Sequence, residues 1–134
     1  YVLPVVVGAM SGMILIILGE NASHHLYPLL PGTDSYDPES FARAMKLMPE
    51  RFFRLLLFNY VAASFIAGLI ATLVAGRNSA RPAVVVGIVL TLAGVYNTLY
   101  LPHPMWFSVI NLVVYLPMAF LGYLTVKKRK PVVS

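Results

Sequence analysis

Four long apolar blocks follow one another along the chain, separated by polar stretches, and each is long enough for a helix to cross a bilayer. They predict helices over roughly 2–23, 50–75, 82–101 and 105–126. Pro102-His103-Pro104 is a very short turn, so the third and fourth helices must be antiparallel neighbours. Only residues 24–49 form a long polar connection, and Pro28, Pro31-Gly32 and Asp37-Pro38 mark turns within it. Asp37-Pro38-Glu39 also reads as a helix start, with Asp37 capping and Pro38 in the first helical position. The short helix that follows would carry Phe41, Ala44, Met45 and Met48 on one side and Arg43 and Lys46 on the other. It is expected to lie on the membrane surface as a lid, ended by Pro49.

Within the blocks, small residues recur at helical spacing. Gly8 and Gly12 make a close-approach pair in the first. In the second, Ser64, Gly68, Thr72 and Gly76 form one stripe, and Ala63, Ala67, Ala71 and Ala75 form its neighbour. Gly87, Leu90, Gly94 and Asn97 share a face of the third; Ser108, Asn111, Tyr115 and Met118 share one of the fourth. Pro117 removes a backbone donor from the fourth and is expected to kink it. The fold class that follows is all-α, a four-helix bundle in a membrane with an outer loop carrying a short amphipathic helix. Residues 1–134 form a single domain.

Composition sharpens this picture. Of 134 residues 59% are hydrophobic and 11% charged, too little polar surface to cover a water-soluble fold. The net charge of +5 would suggest nucleic acid in a soluble protein, but its placement argues for topology instead. Arg77, Arg81, Lys127, Lys128, Arg129 and Lys130 cluster on one side with no acidic residue among them. The other side mixes Arg43, Lys46, Arg51 and Arg54 with Glu20, Asp34, Asp37, Glu39 and Glu50. The positive-inside rule then makes the Arg77–Arg81 turn and both chain ends cytoplasmic, with loop 24–49 outside. Tyr27, Phe52, Phe53, Tyr60, Tyr96, Tyr100, Trp106 and Phe107 would belt the outer interface. The absence of cysteine removes disulfides and thiolate chemistry. Tyr1 stands inside an apolar run without an initiator Met or a basic leader, which reads as a start lying upstream and not as a cleaved signal peptide.

Candidate chemistry gathers at the outer end. Glu20, Asn21, His24, Asn59, Asn97, His103 and Asn111 all fall in the outer half, at least one from each spanning helix. Asn59 sits about 10 Å below the membrane edge, counted from Phe52. Polar side chains are costly in hydrocarbon, so these should converge on an outward-facing polar pocket. Glu20 and His24 share one helical face; with His103 they could ligate a divalent metal such as Zn²⁺. The alternative is a capped helix end, with Glu20 paired to His24 or Arg54 and the asparagines crosslinking helices. His25 points about 100° away from His24 and is expected at the surface. Ser23 near His24 and Asp34 has no hydrolase spacing, and no phosphate-cradling loop or dinucleotide fingerprint occurs.

The blocks Gly19-Glu20, His24, Tyr27-Pro28 and Pro31-Gly32-Thr33-Asp34, with Pro102-His103-Pro104-Met105-Trp106-Phe107 further on, resemble a set of small bacterial four-helix inner-membrane proteins. The resemblance implies a bacterial inner-membrane address and carries no activity. Two functions stay open. One is a non-enzymatic helix-packing or accessory module, meeting a second copy or another membrane protein through the second helix. The other is a carrier or sensor binding a cation or small polar solute in the outer pocket. An enzyme acting on lipid has no specific support.

Overall fold

The computed structural model describes residues 2–28, 32, 37–100 and 105–127, apart from the side chains at 38, 45 and 97–100. Five helices account for nearly all of them: α1 Val2–Leu26, α2 Pro38–Lys46, α3 Glu50–Val74, α4 Arg81–Tyr100 and α5 Met105–Val126. No strand occurs among the described residues. Helices α1, α3 and α5 are each long and apolar enough to cross a membrane. Their surfaces fit that medium. Val2, Leu3, Val6, Met10, Ile14, Ile17 and Leu18 of α1 are all exposed, a continuous apolar face that water would not tolerate.

Helix α1 runs one turn past its expected end at Ser23. Ser23 does not cap a turn; its hydroxyl donates to the Gly19 carbonyl of its own helix at 2.8 Å, and the first residue able to stop the helix is Pro28. Both His24 and His25 are therefore helical. Helix α2 starts as expected, with the Asp37 carboxylate accepting from the Glu39 backbone N–H at 3.2 Å. It turns Phe41 and Ala44 inward, with Met48 just past its end also half-buried, and Arg43 and Lys46 outward. Helix α5 continues through Pro117, which is exposed.

Helix α3 is central. It packs against α1, α4 and α5, and α4 also touches α1 and α5. Two layers divide its length. From Ala63 to Thr72 it is small and fully buried: Ala63, Ser64, Ala67, Gly68, Ala71 and Thr72 are each at most 1% exposed or sealed against a neighbour's backbone. Gly68 faces the Ala119 backbone, and Gly122 faces the Phe65 carbonyl. A Cβ on Gly8 would come within 2.8 Å of both the Ala67 carbonyl oxygen and the Ala71 methyl, so the Gly8–Gly12 pair is the seam that lets α1 close on α3. The small stripe is thus consumed inside the chain. Hydroxyls in this layer satisfy themselves, Ser64 on the Tyr60 carbonyl at 2.7 Å and Thr72 on Gly68 at 2.8 Å.

From Phe52 to Tyr60 the packing is aromatic. Phe52, Phe53, Tyr60 and Phe107 are at most 4% exposed, so these rings form a core and not the interfacial belt the sequence suggested. Tyr96 alone of the belt residues is clearly exposed; Tyr27 and Trp106 are half-buried, and the Tyr100 side chain lies outside the described residues. The correction has a simple cause. Small residues hold the helices together below, and only large side chains can fill the space between them above.

The opposite end is closed by backbone geometry. Gly76, at φ 90°, ends α3 in a Schellman motif: its N–H reaches the Leu73 carbonyl and the Arg77 N–H reaches Thr72 at 2.9 Å. Arg77 follows in the left-handed region at φ 70° and donates its Nε to the Val126 carbonyl at 2.6 Å. A cation thereby meets the carbonyl end of α5, which ties the α3–α4 turn to that helix.

Candidate functional site

Glu20 lies in the penultimate turn of an otherwise uncharged apolar stretch of α1, half-buried against α3. Its Oε1 accepts a hydrogen bond from the Tyr60 hydroxyl at 2.7 Å. A carboxylate at membrane depth costs about 3 kcal/mol unless something meets it, and a phenol is among the few donors compatible with an apolar wall. Tyr60 was not among the candidate residues. It sits four residues before Ser64 and so begins the stripe that continues through Gly68 and Thr72, and that spacing was the available signal.

The second polar pair stands behind the first. Tyr115 of α5 donates to Asn111 Oδ1 at 2.8 Å, with both residues about 2% exposed. The Tyr115 and Tyr60 rings are 6.2 Å apart, so the two pairs share one aromatic wall. The Gly94 face of α4 lies against the Tyr115 ring, where a Cβ would come within 2.6 Å. Asn59 does not join the carboxylate. Its Nδ2 donates to the Ile16 carbonyl at 3.1 Å, the oxygen that also closes the helical turn at Glu20, and its amide occupies the space beside Gly19. Asn59 is therefore a clamp on the backbone that carries Glu20.

The remaining candidates separate. Asn21 is exposed and turned away from the site, as is His25. The Asn97 side chain and His103 lie outside the described residues. Arg54 pairs with Glu50 at 3.1 Å on the surface and not with Glu20. Among the described residues no group of three or more His, Asp or Glu side chains could hold a metal ion, and the proposed third ligand, His103, is not one of them. Ser23 is buried and bonded to its own helix, which removes it as a nucleophile.

No protein-family model matches the chain, and no curated protein or solved structure is similar to it.

His24 completes the picture. Its ring lies 5.0 Å from Phe52 and 6.3 Å from Phe41 of α2, so α2 is seated on the site through this histidine. From His24 the rings run on without a break through Phe52, Phe53, Phe107 and Tyr60 to Tyr115, with successive centroids 5.0–6.2 Å apart. The arrangement places one acid, hydrogen-bonded and only half-buried, at the edge of a rigid aromatic floor. It presents a carboxylate with free acceptor sites and is therefore suited to positive charge.

Proposed function

We propose that this chain is a four-helix bundle of the bacterial inner membrane, with α1, α3, α4 and α5 spanning, that binds a small cationic or polar solute at its outer end and performs no covalent chemistry. One observation carries the reading: a carboxylate built into an apolar spanning helix is held by a phenol from the next helix at 2.7 Å, above a floor of aromatic rings. Charge–charge attraction grows as water is excluded, so a cation reaching Glu20 gains more there than at an exposed acid. The Tyr60 hydroxyl orients the carboxylate and can rotate aside as the cation arrives. The accessory-module reading rested on the small stripe of α3, and its residues from Ala63 to Thr72 are covered by the neighbouring helices of the same chain, while Ala75 and Gly76 at its end are not fully covered.

The reading is tested by calorimetric titration of the full chain in nanodiscs with alkylammonium, guanidinium and divalent metal salts, together with elemental analysis of the purified protein. Saturable binding of at least one cation is expected, weakened tenfold or more by Glu20→Gln. Binding that survives Glu20→Gln unchanged would sink it. A stoichiometric metal, lost in Glu20→Ala/His24→Ala, would identify the solute as an ion.

The orientation proposed from the basic Arg77–Arg81 turn has its own test, since the chain contains no native cysteine. A cysteine replacing exposed Glu39 should react with an impermeant maleimide in intact spheroplasts. One replacing exposed Asn78 should react only after permeabilisation. The reverse pattern would invert the topology and place the Glu20 site on the cytoplasmic side.

A further inference from the structure

Among the described residues one buried side-chain nitrogen has no hydrogen-bond partner, and it belongs to the site: Nδ1 of His24. An orphaned polar atom of this kind costs about 1–3 kcal/mol and calls for an explanation. The ring is held between Phe41 and Phe52, neither of which can satisfy it. Glu20 lies one helical turn earlier on the same face of α1. A neutral imidazole with its proton on the other nitrogen presents a bare acceptor at Nδ1. The carboxylate keeps most of its own acceptor capacity, since Tyr60 uses one of roughly four lone-pair sites.

We infer that His24 Nδ1 is the second acceptor of the Glu20 site, and that its ligand is an organic ammonium bearing N–H donors. This rests on reading Glu20 as a solute site and adds the class of solute. Two acceptors one turn apart repel an anion. A quaternary ammonium would satisfy the charge of Glu20 and leave Nδ1 orphaned. A hard divalent cation prefers a shell of several oxygens, and the neighbours here are rings. A primary or secondary ammonium matches both points, donating one N–H to Glu20 and one to His24. Nδ1 is buried and Phe41 of α2 lies beside the His24 ring, so uptake goes with movement of that contact.

The test uses two probes that share a ring and differ in N–H content, benzylammonium and benzyltrimethylammonium, titrated into the full chain in nanodiscs at mildly alkaline pH. Benzylammonium should bind the wild type about tenfold or more tighter, the discrimination that a hydrogen bond to a satisfied rather than orphaned acceptor supplies. His24→Phe keeps the aromatic stack and should erase that preference. His24→Gln, which restores an acceptor, should recover part of it, and it serves as the test if the phenylalanine variant does not fold. Equal affinity for the two probes in the wild type, or a preference that persists in both His24 variants, would overturn the inference. Glu20-dependent binding of benzyltrimethylammonium alone would overturn it too, yet leave the cation reading standing. Binding of neither probe would overturn the inference, and the cation reading falls with it only if guanidinium and the divalent metals also fail to bind.

Discussion

Gly68→Ala is expected to destabilise this protein by about 3 kcal/mol, the upper end of what one inserted methyl group costs in a packed core. The reason lies in what the methyl group meets. A Cβ at Gly68 lands on the backbone of Ala119 in α5, which cannot rotate away as a side chain would. Helices α3 and α5 must separate there, and the contacts of Gly122 with Phe65 and Leu69 open with them. Gly122→Ala should be comparably damaging. The double variant should fall well short of the sum, because both substitutions part the same two helices. Thermal unfolding in detergent or bicelles measures this, with Leu73→Ala as the control. Leu73 is 48% exposed on the lipid-facing side and should cost little, roughly 0.5 kcal/mol. A Gly68→Ala protein that melts with the wild type would show that α3 and α5 do not meet this closely.

The second large effect is expected at the Glu20–Tyr60 pair, read as a double-mutant cycle. Tyr60→Phe removes the donor and leaves a half-buried carboxylate without its hydrogen bond. Glu20→Met leaves a buried phenol without its acceptor. Each single change should destabilise, and the coupling between them should be about 2 kcal/mol, in the range for hydrogen bonds to charged groups. The double variant should be as stable as the wild type or more so, since replacing a buried polar pair by apolar groups of similar volume removes a desolvation cost. It should also have lost all cation binding. Stability gained while binding is lost is what a site retained for function, and not for folding, would show. A coupling below about 0.5 kcal/mol would make the 2.7 Å contact incidental and remove the main support for a site at Glu20.

Much of the architecture was legible in advance. The helices lie where the apolar blocks place them, to within a few residues, because length and hydropathy are properties of consecutive residues. The small stripe of α3 and the Gly8–Gly12 pair were legible as close-approach surfaces for the same reason, since spacing along a helix fixes which residues share a face. The site was legible in part. Glu20, His24 and Asn111 could be chosen because polar groups in apolar helices must turn toward something; Asn111 was legible as the partner of the Tyr115 hydroxyl one turn away, but the partner of Glu20 was not. Asn59 was expected beside the carboxylate and instead clamps the α1 backbone; Arg54 was weighed as a partner for Glu20 and instead pairs with Glu50 on its own helix. Tyr60 and Phe52 were placed in an interfacial belt because aromatic residues near a span end are common there. Their burial depends on how three other helices close around α3.

By itself, then, the sequence determined that this is a helical chain with segments long and apolar enough to cross a membrane, where those helices begin and end, which faces pack tightly and which end gathers polar groups. All of these follow from the order of residues along one helix at a time. Only the tertiary structure decided that the close contacts are made within the chain, that the rings around Phe52 and Tyr60 form a core, that Tyr60 meets Glu20 and that His24 Nδ1 is sealed without a partner. Those pairings join residues about forty positions apart, and their geometry is set by the separations that Gly8, Gly12, Gly68 and Gly122 allow between neighbouring helices. A separation between two helices belongs to neither of them alone.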